Sequence, residues 1–472
     1  MHRVLIITAV IIVGFSAPSS ALAAPGPADI TPAAIDAYLA RAMDSTRLPG
    51  ISVVVTRGDT VVHATGAGQD SRGEPITEHS PMRIASLSKS MTATAVMMLV
   101  EEGRLALDRP VVEQLPEFRM NDARADRITV RHLLNQTSGL SDRTVDIGAT
   151  DHARSLTDYV ATVQTGTLAA EPGTRWAYCN VNYDIAARLV EVASGRDFGD
   201  FLRERVFAPL GMTASGTDAD LPAPPDGFTS LFGQWVPRPE LAGFAGGGAG
   251  SVITTAADMG RWLISNTGNG PQLVTARSLT TMRTPVLHRY GMGWGTEEES
   301  DLVVHSGNLF TYNAAQAIDP DTGYGFAVLT NSAGLADDTY PVMLGLAAMS
   351  RGETPETPGG ARQWTELALG ASTVTALGLG ALGAIRARRW ARARLGKSFW
   401  WTGARMLPAL IPGLLFAGLP AIVSIIMSGR TVTWAQLAYY APLPIAVAAA
   451  AAAGLVTTVT RLYRLRSVRS GE

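Results

Sequence analysis

The stretch MRIASLSKSMTATAVMMLVEEG, Met82 to Gly103, decides the fold of this chain. It places Ser86 three residues before Lys89, at the start of an apolar helical pattern. Residues at i and i+3 lie on one face of a helix, so the serine hydroxyl and the lysine amine are expected to touch. Ser-x-x-Lys alone is a weak signal, because serine is common and chance matches are easy.

Lysine is rare in this chain, which makes Lys89 informative. Of the 39 basic residues, only Lys89 and Lys397 are lysines, and the others are arginines. Arginine stays protonated in proteins, whereas a desolvated lysine can lose its proton. The apolar residues that follow, among them Met91 and Ala95, predict a buried helix and therefore a desolvated lysine. We interpret Lys89 as an acid–base group; the alternative is an ordinary surface lysine.

Charge divides the chain into an acidic front and a basic back. The formal net charge of the 472 residues is −2, yet 12 of the 39 basic residues and one of the 41 acidic residues lie at or after Leu367. A basic segment of this kind binds either a membrane or a nucleic acid, and the two must be distinguished.

Three uncharged segments in the back are long enough to cross a bilayer as helices. They span about residues 367–385, 406–427 and 437–460, after a Pro/Gly-rich linker at 351–366. Prolines interrupt the second segment, which membrane helices tolerate where neighbouring groups satisfy the backbone. The sequence therefore predicts a membrane domain over residues 367–472 with three transmembrane helices.

The basic residues flank these segments and predict their orientation. Six cationic side chains lie in the loop 386–397 and four arginines in the tail after residue 460, whereas the loop between the second and third segments has only Arg430. Positively charged loops stay in the cytoplasm, so the front domain is expected outside the cell membrane. We interpret the basic stretches as topology signals and expect no nucleic-acid partner.

Residues 1–23 have the features of a secretory signal peptide. Arg3 precedes an apolar run at 4–15, and the sequence ALA at 21–23 forms a small-x-small cleavage signal. The alternative is an uncleaved anchor, and in both cases the next domain is exported. The chain has one cysteine, Cys179, so no intrachain disulfide is expected.

The front domain, residues 27–350, has a mixed pattern. Two strands are predicted in residues 50–68, helical patterns follow at 86–102 and 181–194, and further short strands are predicted after residue 290. Strands at both ends of a domain with helices between them indicate an α+β fold in which the first and last strands share one sheet.

A second candidate group, Tyr178 and Asn180, lies in EPGTRWAYCNVNYD before the helical pattern at 181–194. Alternate residues of an extended segment point to the same side, so both can face one cleft. Tyrosine can relay protons, and asparagine can bind an amide. The alternative is a tyrosine packed in the core and an asparagine that caps the helix.

A third candidate group is His305-Ser306-Gly307, after the strand pattern LVV. Gly307 would let a ligand backbone approach the strand edge. His305 could donate a hydrogen bond to a carboxylate or carbonyl group. The alternative is a histidine that simply ends a strand. His305 is too isolated to predict a metal site, and the sequence has no metal cluster, nucleotide loop or cofactor motif.

Together, the three groups resemble one enzyme family. Ser-x-x-Lys, Tyr-x-Asn and His-x-Gly, in that order, are the set found in the serine β-lactamase and penicillin-binding protein family. The chain is most similar to its class C β-lactamase, D,D-peptidase and esterase branch, over most of residues 30–350. The segments ITVRHLLNQTSGL and GGGAGSVITTAADMGRWL also carry the likeness. The resemblance implies an antiparallel sheet flanked by helices, plus an all-helical region.

The resemblance also implies a role for each candidate residue. Ser86 would attack a carbonyl group and form an acyl-enzyme, while Lys89 and Tyr178 move its proton. Asn180 would bind the substrate amide. The backbone N–H groups of Ser86 and Asn308 would form the oxyanion hole, where one lost donor typically lowers the rate by roughly a hundredfold or more.

Two positions depart from the family pattern. Cys179 stands where the family often has serine, and we expect this small change to be tolerated. His305 stands where many β-lactamases have lysine. A neutral imidazole binds a carboxylate less strongly than an ammonium group does, so strong β-lactamase activity is not expected.

These expectations combine into one functional hypothesis. The chain is predicted to be an extracytoplasmic serine hydrolase, anchored in the cell membrane by several helices, that cleaves an amide or ester through an acyl-enzyme without a cofactor. A D-amino-acid peptide or peptidoglycan-like molecule is the first expected substrate, a small ester the second and a β-lactam the third. The alternative is a receptor that binds an envelope ligand and hydrolyses it slowly or not at all.

Overall fold

The computed structural model describes residues 29–470, so the signal peptide predicted at residues 1–23 lies outside the described part. Within that part, the front domain contains both strands and helices. Its strands are Gly50–Arg57 (β1), Thr60–Gly68 (β2), Met82–Arg83 (β3), Gly216–Thr217 (β4), Gly227–Leu231 (β5), Gln234–Arg238 (β6), Val252–Thr254 (β7), Gly295–Thr296 (β8), Val303–Asn308 (β9), Asn313–Ile318 (β10), Tyr324–Thr330 (β11) and Ser332–Ala333 (β12).

One antiparallel sheet of six strands forms the centre of the front domain, in the order β2-β1-β11-β10-β9-β8. The first strand pairs with a late one, because Ile51 of β1 lies opposite Thr330 of β11. Two small sheets, β12-β5-β6 and β3-β7-β4, lie beside it. The predicted α+β fold, with its first and last strands in one sheet, is confirmed.

Helices cover both faces of this sheet and form a separate helical region. The helices of the front domain are Pro32–Thr46 (α1), Ser88–Glu101 (α2), Val111–Gln114 (α3), Val130–Leu134 (α4), Ile147–Asp151 (α5), Leu156–Thr162 (α6), Val181–Ser194 (α7), Phe198–Phe201 (α8), Ala208–Leu210 (α9), Ala256–Asn266 (α10), Ala276–Arg283 (α11) and Thr339–Ser350 (α12). Helices α1 and α12 pack on one face of the sheet, and α10 packs on the other.

Strand β1 shows why the sheet is covered twice. Ile51, Val53 and Val55 point into the core shared with α1 and α12, whereas Val54 points into the larger core on the opposite face. Successive side chains of a strand alternate between faces, so a nearly continuous apolar run requires a cover on each side.

Helix α2 is buried along most of its length. Every residue from Ser88 to Leu99 is buried, including Lys89. The helix packs against α7 and against the turn that begins at Ala85. Its burial produces the desolvation of Lys89 that the sequence predicted.

The back of the chain is helical. Its helices are Ala361–Ile385 (α13), Ala387–Arg392 (α14), Phe399–Ala404 (α15), Leu407–Ala417 (α16), Leu419–Ile426 (α17), Trp434–Leu437 (α18) and Pro442–Ser470 (α19). By length and composition, α13 and α19 could each cross a membrane, and α16 with α17 could form a third crossing that bends by 67°.

These helices pack through small residues and expose apolar ones. A β-carbon on Gly380 of α13 would lie 2.7 Å from the β-carbon of Ala453 in α19, so the two backbones approach closely. On the outer surface, Val374 is 71% exposed and Ile385 78% exposed. Large exposed apolar patches of this kind mark surfaces that contact either another protein or a membrane.

The boundaries of this region differ from the sequence prediction in two places. Helix α13 begins at Ala361, inside the predicted linker at 351–366, and the third predicted segment, 437–460, is helical over 442–470 instead. We call residues 427–441, between α17 and α19, the roof segment, because they pack on the front domain. The apolar residues at 437–441 therefore contact protein at the start of what was predicted to be a span.

Candidate active site

Ser86 lies on a turn of unusual backbone conformation at the entrance of α2. Residues Ala85–Leu87 form a 3-10 turn, and Ala85 has a φ of 50°. A non-glycine residue in the left-handed region costs roughly 1–2 kcal/mol, which the surrounding packing must offset. The turn leaves Ser86 half-buried while Leu87 and Ser88 are buried. Of the three serines Ser86, Ser88 and Ser90, Ser86 is the one that lines an open cavity.

Lys89 is buried directly beneath Ser86, one helical turn further along α2. The residue has no exposed surface. Its Nζ lies 3.0 Å from Ser86 Oγ, 2.9 Å from Asn180 Oδ1 and 2.6 Å from the carbonyl oxygen of Ala249. The contact expected between Ser86 and Lys89 is present, and Lys89 is not a surface residue.

Asn180 occupies the N-cap position of α7 but does not cap the helix with its side chain. Its Oδ1 instead accepts a hydrogen bond from Lys89 Nζ. The helix begins at Val181, as the sequence predicted. Of the two interpretations of Asn180, the structure therefore favours a residue of the site over a helix cap.

Asp184 was not singled out from the sequence, although it belongs to the same group. Its Oδ1 accepts a hydrogen bond of 3.0 Å from the backbone N–H of Ala249, whose carbonyl oxygen binds Lys89. Burial raises the pKa of Asp184 to about 6, and a hydrogen bond from Tyr159 offsets part of this increase. Asp184 is four residues after Asn180, and this i, i+4 spacing on one helix face is the signal that could have found it.

Tyr178 closes the site on another side. Lys89 Nζ lies 4.8 Å from the centroid of the Tyr178 ring. The ring packs edge-on against Tyr290, with 6.3 Å between the centroids. Tyr178 is half-buried and lines the same cavity as Ser86. The structure thus brings Tyr178 to the cavity wall, while its neighbour Cys179 is fully buried.

Strand β9 runs along the Ser86 turn. A β-carbon on Gly307 would lie 2.4 Å from the carbonyl oxygen of Ile84, so the strand reaches the turn only because residue 307 has no side chain. The sequence predicted that this glycine admits a ligand backbone, but the backbone it admits belongs to the chain itself. Asn308 follows at the end of the strand and lines the Ser86 cavity. Its role as an oxyanion donor stays a prediction.

His305 makes two contacts within the protein, and its role in substrate binding stays a prediction. Its Nε2 lies 3.1 Å from the Tyr290 hydroxyl, and its Nδ1 lies 2.7 Å from the carbonyl oxygen of Ser306. Burial, together with the charge of Lys89, lowers the pKa of His305 to about 3, so the ring is neutral at physiological pH. With both ring nitrogens engaged, His305 has no free donor for a substrate carboxylate. It lines a different pocket, beside Tyr290 and Tyr340.

The cavity above Ser86 has a volume of about 850 Å³ and two kinds of wall. The front domain contributes Tyr178 and Asn308, and the roof segment contributes Arg430. A neighbouring chamber of about 480 Å³ shares Arg430 and Asn308 and reaches Asn180. Arg430 was not predicted to belong to this site, because a single arginine between two apolar segments carries only a topology signal. Across residues 29–470, three or more His, Cys, Asp or Glu residues nowhere form a group that could hold a metal ion.

A sequence model of the Beta-lactamase family matches residues 35–348. The chain belongs to the β-lactamase family. Among its curated relatives, penicillin-binding protein 4 of Amycolatopsis lactamdurans is 31% identical over 316 residues, which cover 60% of this chain and 81% of the relative. Protein flp of Staphylococcus aureus (strain COL) is 27% identical over 314 residues, and this chain spans 62% of its length.

Solved structures of the β-lactamase family share the fold. The penicillin-binding protein from Bacillus halodurans has a TM-score of 0.57 and 25% identity, and the match covers 66% of this chain and 99% of that one. The D-stereospecific amidohydrolase from Streptomyces sp. has a TM-score of 0.52 and 24% identity, with 64% and 94% covered.

Membership of the β-lactamase family accounts for only part of the cavity. The matched region, residues 35–348, contains Ser86, Lys89, Tyr178 and Asn180. It does not contain α13 to α19 or the roof segment. The chain therefore has a β-lactamase-like fold over residues 35–348, followed by apolar helices. Arg430, which lines the cavity, lies outside the matched residues.

Proposed function

We propose that this protein is a membrane-attached serine hydrolase that cleaves an amide or ester through an acyl-enzyme on Ser86. The observation that carries the proposal is the position of Lys89 Nζ, 3.0 Å from Ser86 Oγ and bound to Asn180 and Ala249. The oxygens of Asn180 and Ala249 can only accept hydrogen bonds, so Lys89 donates to both. Lys89 Nζ is also within hydrogen-bond distance of Ser86 Oγ, so the lysine is the group placed to exchange a proton with the nucleophile.

The reaction then divides into two steps. Ser86 Oγ attacks the substrate carbonyl carbon as its proton passes to Lys89, and the leaving amine or alcohol takes a proton through Lys89 or Tyr178. Water cleaves the ester bond of the acyl-enzyme in the second step and releases the acid. The N–H groups of Ser86 and Asn308 are the donors proposed for the negative oxygen that develops in each step.

A D-amino-acid peptide or peptidoglycan-like molecule is the proposed substrate class. The similarity to a penicillin-binding protein over residues of the matched domain supports this choice. The neutral, enclosed His305 gives the site no lysine-like cation at the position where many β-lactamases have one, which places a β-lactam last. Small esters are the second class. The competing function is a receptor that binds an envelope ligand and hydrolyses it slowly or not at all. The roof segment connects the cavity to the C-terminal helices, which favours a receptor over an enzyme that acts independently of those helices.

Labelling of the full-length protein tests the nucleophile. A fluorophosphonate probe should add to wild-type protein and fail to add to Ser86→Ala. Ser141→Ala is the matched control, because Ser141 lines the same cavity without contacting Lys89, and it should keep the label. Turnover of D-alanyl peptides and p-nitrophenyl esters then separates a hydrolase from a receptor. An unlabelled wild-type protein would remove the hydrolase.

The front domain is proposed to lie on the outer side of the membrane. The basic helix α14 packs against α19 at the end of the bundle remote from the front domain, and Arg461 lies 5.0 Å from the ring of Trp390. The native cysteine is buried. Asp321→Cys in an exposed turn should therefore react with an impermeant maleimide on intact cells, whereas Lys397→Cys should react only after permeabilisation. The reverse pattern would contradict this orientation.

A further inference from the structure

The roof segment, residues 427–441, is fastened to the front domain at two separate places. Thr431 Oγ1 donates a hydrogen bond of 2.9 Å to the carbonyl oxygen of Asp142. At the other end, Tyr439 donates one of 2.9 Å to the carbonyl oxygen of Pro239, and Arg238 donates one of 2.8 Å to the carbonyl oxygen of Ala438. The segment is therefore a fixed wall of the cavity.

Arg430 brings a charge from this wall to the catalytic group. Its Nε forms a salt bridge with Asp142 Oδ2 at 2.8 Å. Its guanidinium carbon lies 5.4 Å from the centroid of the Tyr178 ring. The side chain remains 32% exposed, so part of the guanidinium faces the cavity that contains Ser86.

The cavity has a surplus of positive charge. Its wall contains three arginines, Arg143, Arg175 and Arg430. Among the described residues of this wall, one is acidic, Asp142. Asp142 already pairs with Arg430. Three arginines against one aspartate give this wall a net charge of +2, and the exposed part of the Arg430 guanidinium belongs to it. This charge favours a ligand that carries a carboxylate or phosphate next to the group that Ser86 attacks.

The far end of the same cavity is apolar and belongs to the membrane helices. Val423 of α17 and Met427, the residue directly after that helix, line it. Helix α17 carries no charged residue in LPAIVSII. Trp434 of the roof segment packs on Phe416 of α16, with 4.9 Å between ring centroids. Tryptophan at such a position is typical of a membrane–water interface, so this end opens where lipid begins.

We propose that the Ser86 cavity receives an amphiphile anchored in the bilayer, whose apolar chain lies along Val423 and Met427 and whose anionic group binds Arg430. The substrate class is an amide or ester with a long apolar chain and a carboxylate or phosphate near the bond that is cleaved. This inference rests on the proposed function for its chemistry, because only an acylated Ser86 would make such a ligand a substrate.

Binding tests the ligand class without turnover. Full-length Ser86→Ala protein in phosphatidylcholine nanodiscs is titrated with N-dodecanoyl-D-alanyl-D-alanine, its neutral methyl ester and N-acetyl-D-alanyl-D-alanine. The first should bind at least about tenfold more tightly than either of the others, the difference expected for one charge-assisted hydrogen bond or one buried apolar chain. Dodecyl phosphate is the fourth ligand in this titration. Tighter binding of dodecyl phosphate than of the dodecanoyl peptide would indicate a phosphate ligand, and weaker binding would indicate a carboxylate ligand.

Further substitutions in the Ser86→Ala protein test whether the cavity wall around Arg430 and Val423 causes these differences in affinity. Ser86→Ala with Arg430→Gln should lose about tenfold in affinity for the anionic amphiphile and little for its methyl ester, and Arg430→Lys should restore part of the loss. Val423→Thr should weaken binding of the dodecanoyl probe while the acetyl probe is unchanged. Arg277→Gln, an exposed arginine far from the cavity, is the matched control.

Two results would overturn the inference. One is equal affinity for the dodecanoyl and acetyl peptides. The other is an Arg430→Gln variant that binds the anionic and neutral probes as its parent does. Fluorophosphonate labelling of wild-type protein reports on the proposed function separately. Tight, Arg430-dependent binding without Ser86 labelling would retain the ligand class and remove the hydrolase, whereas labelling without that binding would do the opposite.

Discussion

A β-carbon placed on Gly307 would stand 2.4 Å from the carbonyl oxygen of Ile84, so strand β9 and the Ser86 turn are in direct backbone contact. The same β-carbon would lie 3.0 Å from the β-carbon of Ala85, the residue whose left-handed conformation presents Ser86. The strand that leads to Asn308 is thus positioned against the turn that carries the nucleophile. This contact links the two proposed oxyanion donors.

Gly307→Ala should separate the strand from the turn. Forcing an extra carbon into such packing costs about 1–3 kcal/mol, and the displaced donors should lower the rate of fluorophosphonate labelling by about a hundredfold. Thermal unfolding and labelling rates of the full-length protein measure both effects. Gly250→Ala is the control, since the nearest atom to its added carbon is 3.6 Å away. Unchanged labelling of Gly307→Ala would show that the contact does not set the site.

Asn180→Asp should inactivate the protein without unfolding it. The new carboxylate would lie near the present 2.9 Å from Lys89 Nζ and would hold the lysine as an ammonium ion, which cannot take a proton from Ser86. Turnover should fall about a hundredfold at neutral pH, and part of it should return at higher pH. Asn121→Asp in an exposed loop should behave as wild type. A pH profile that keeps its shape in Asn180→Asp would argue against Lys89 as the base.

Asp184→Asn should change how stability depends on pH. Burial raises the pKa of Asp184 from 3.8 to about 6, so the native protein binds this proton more tightly than the unfolded chain. The stabilisation is complete below pH 3.8 and is lost as the pH rises through 6. Two pKa units correspond to on the order of 3 kcal/mol. Between pH 4 and 7 the melting temperature of Asp184→Asn should therefore rise relative to wild type, and Asp301→Asn should show no such trend.

His305→Gln should make the thermal stability of the protein less sensitive to acid. The pKa of His305 is lowered from 6.5 to about 3 by burial and by Lys89, so the unfolded chain binds the proton more tightly. Its contribution to stability is present above pH 6.5 and is lost as the pH falls toward 3. Wild-type protein should lose more thermal stability than His305→Gln between pH 6.5 and 4.5. The exposed His79→Gln is the control, and identical curves for all three proteins would contradict a buried, neutral His305.

Local spacing predicted the contact between Ser86 and Lys89, which the structure contains. Ser86 and Lys89 are one helical turn apart, so the helix itself brings them together. The residues from Val181 to Ser194 form the helix that the sequence indicated, and this fixes Asn180 at its start. Strand patterns at both ends of the domain also predicted that the first and last strands share one sheet, and the family resemblance implied that this sheet is antiparallel.

Contacts between distant segments decided the rest. His305 became a neutral, enclosed residue because Tyr290 packs over it, and nothing in the motif His-x-Gly encodes that partner. Arg430 meets Asp142 across most of the length of the chain, and its local sequence indicates only which side of a membrane it occupies. Asp184 shared a helix face with Asn180, but its bond to Ala249 depends on how a separate loop folds back.

The buried side chain of Arg362 joins the first turn of α13 to Asp338, Ser230 and the carbonyl oxygen of Thr46. These bonds hold the front domain in one orientation relative to α13. A fragment that ends at residue 355 would lack Arg362. It would also lack the roof segment, which forms one wall of the Ser86 cavity. If the protein is the hydrolase proposed above, selectivity profiles gathered on such a fragment would describe a wider, more permissive site than that of the full-length protein.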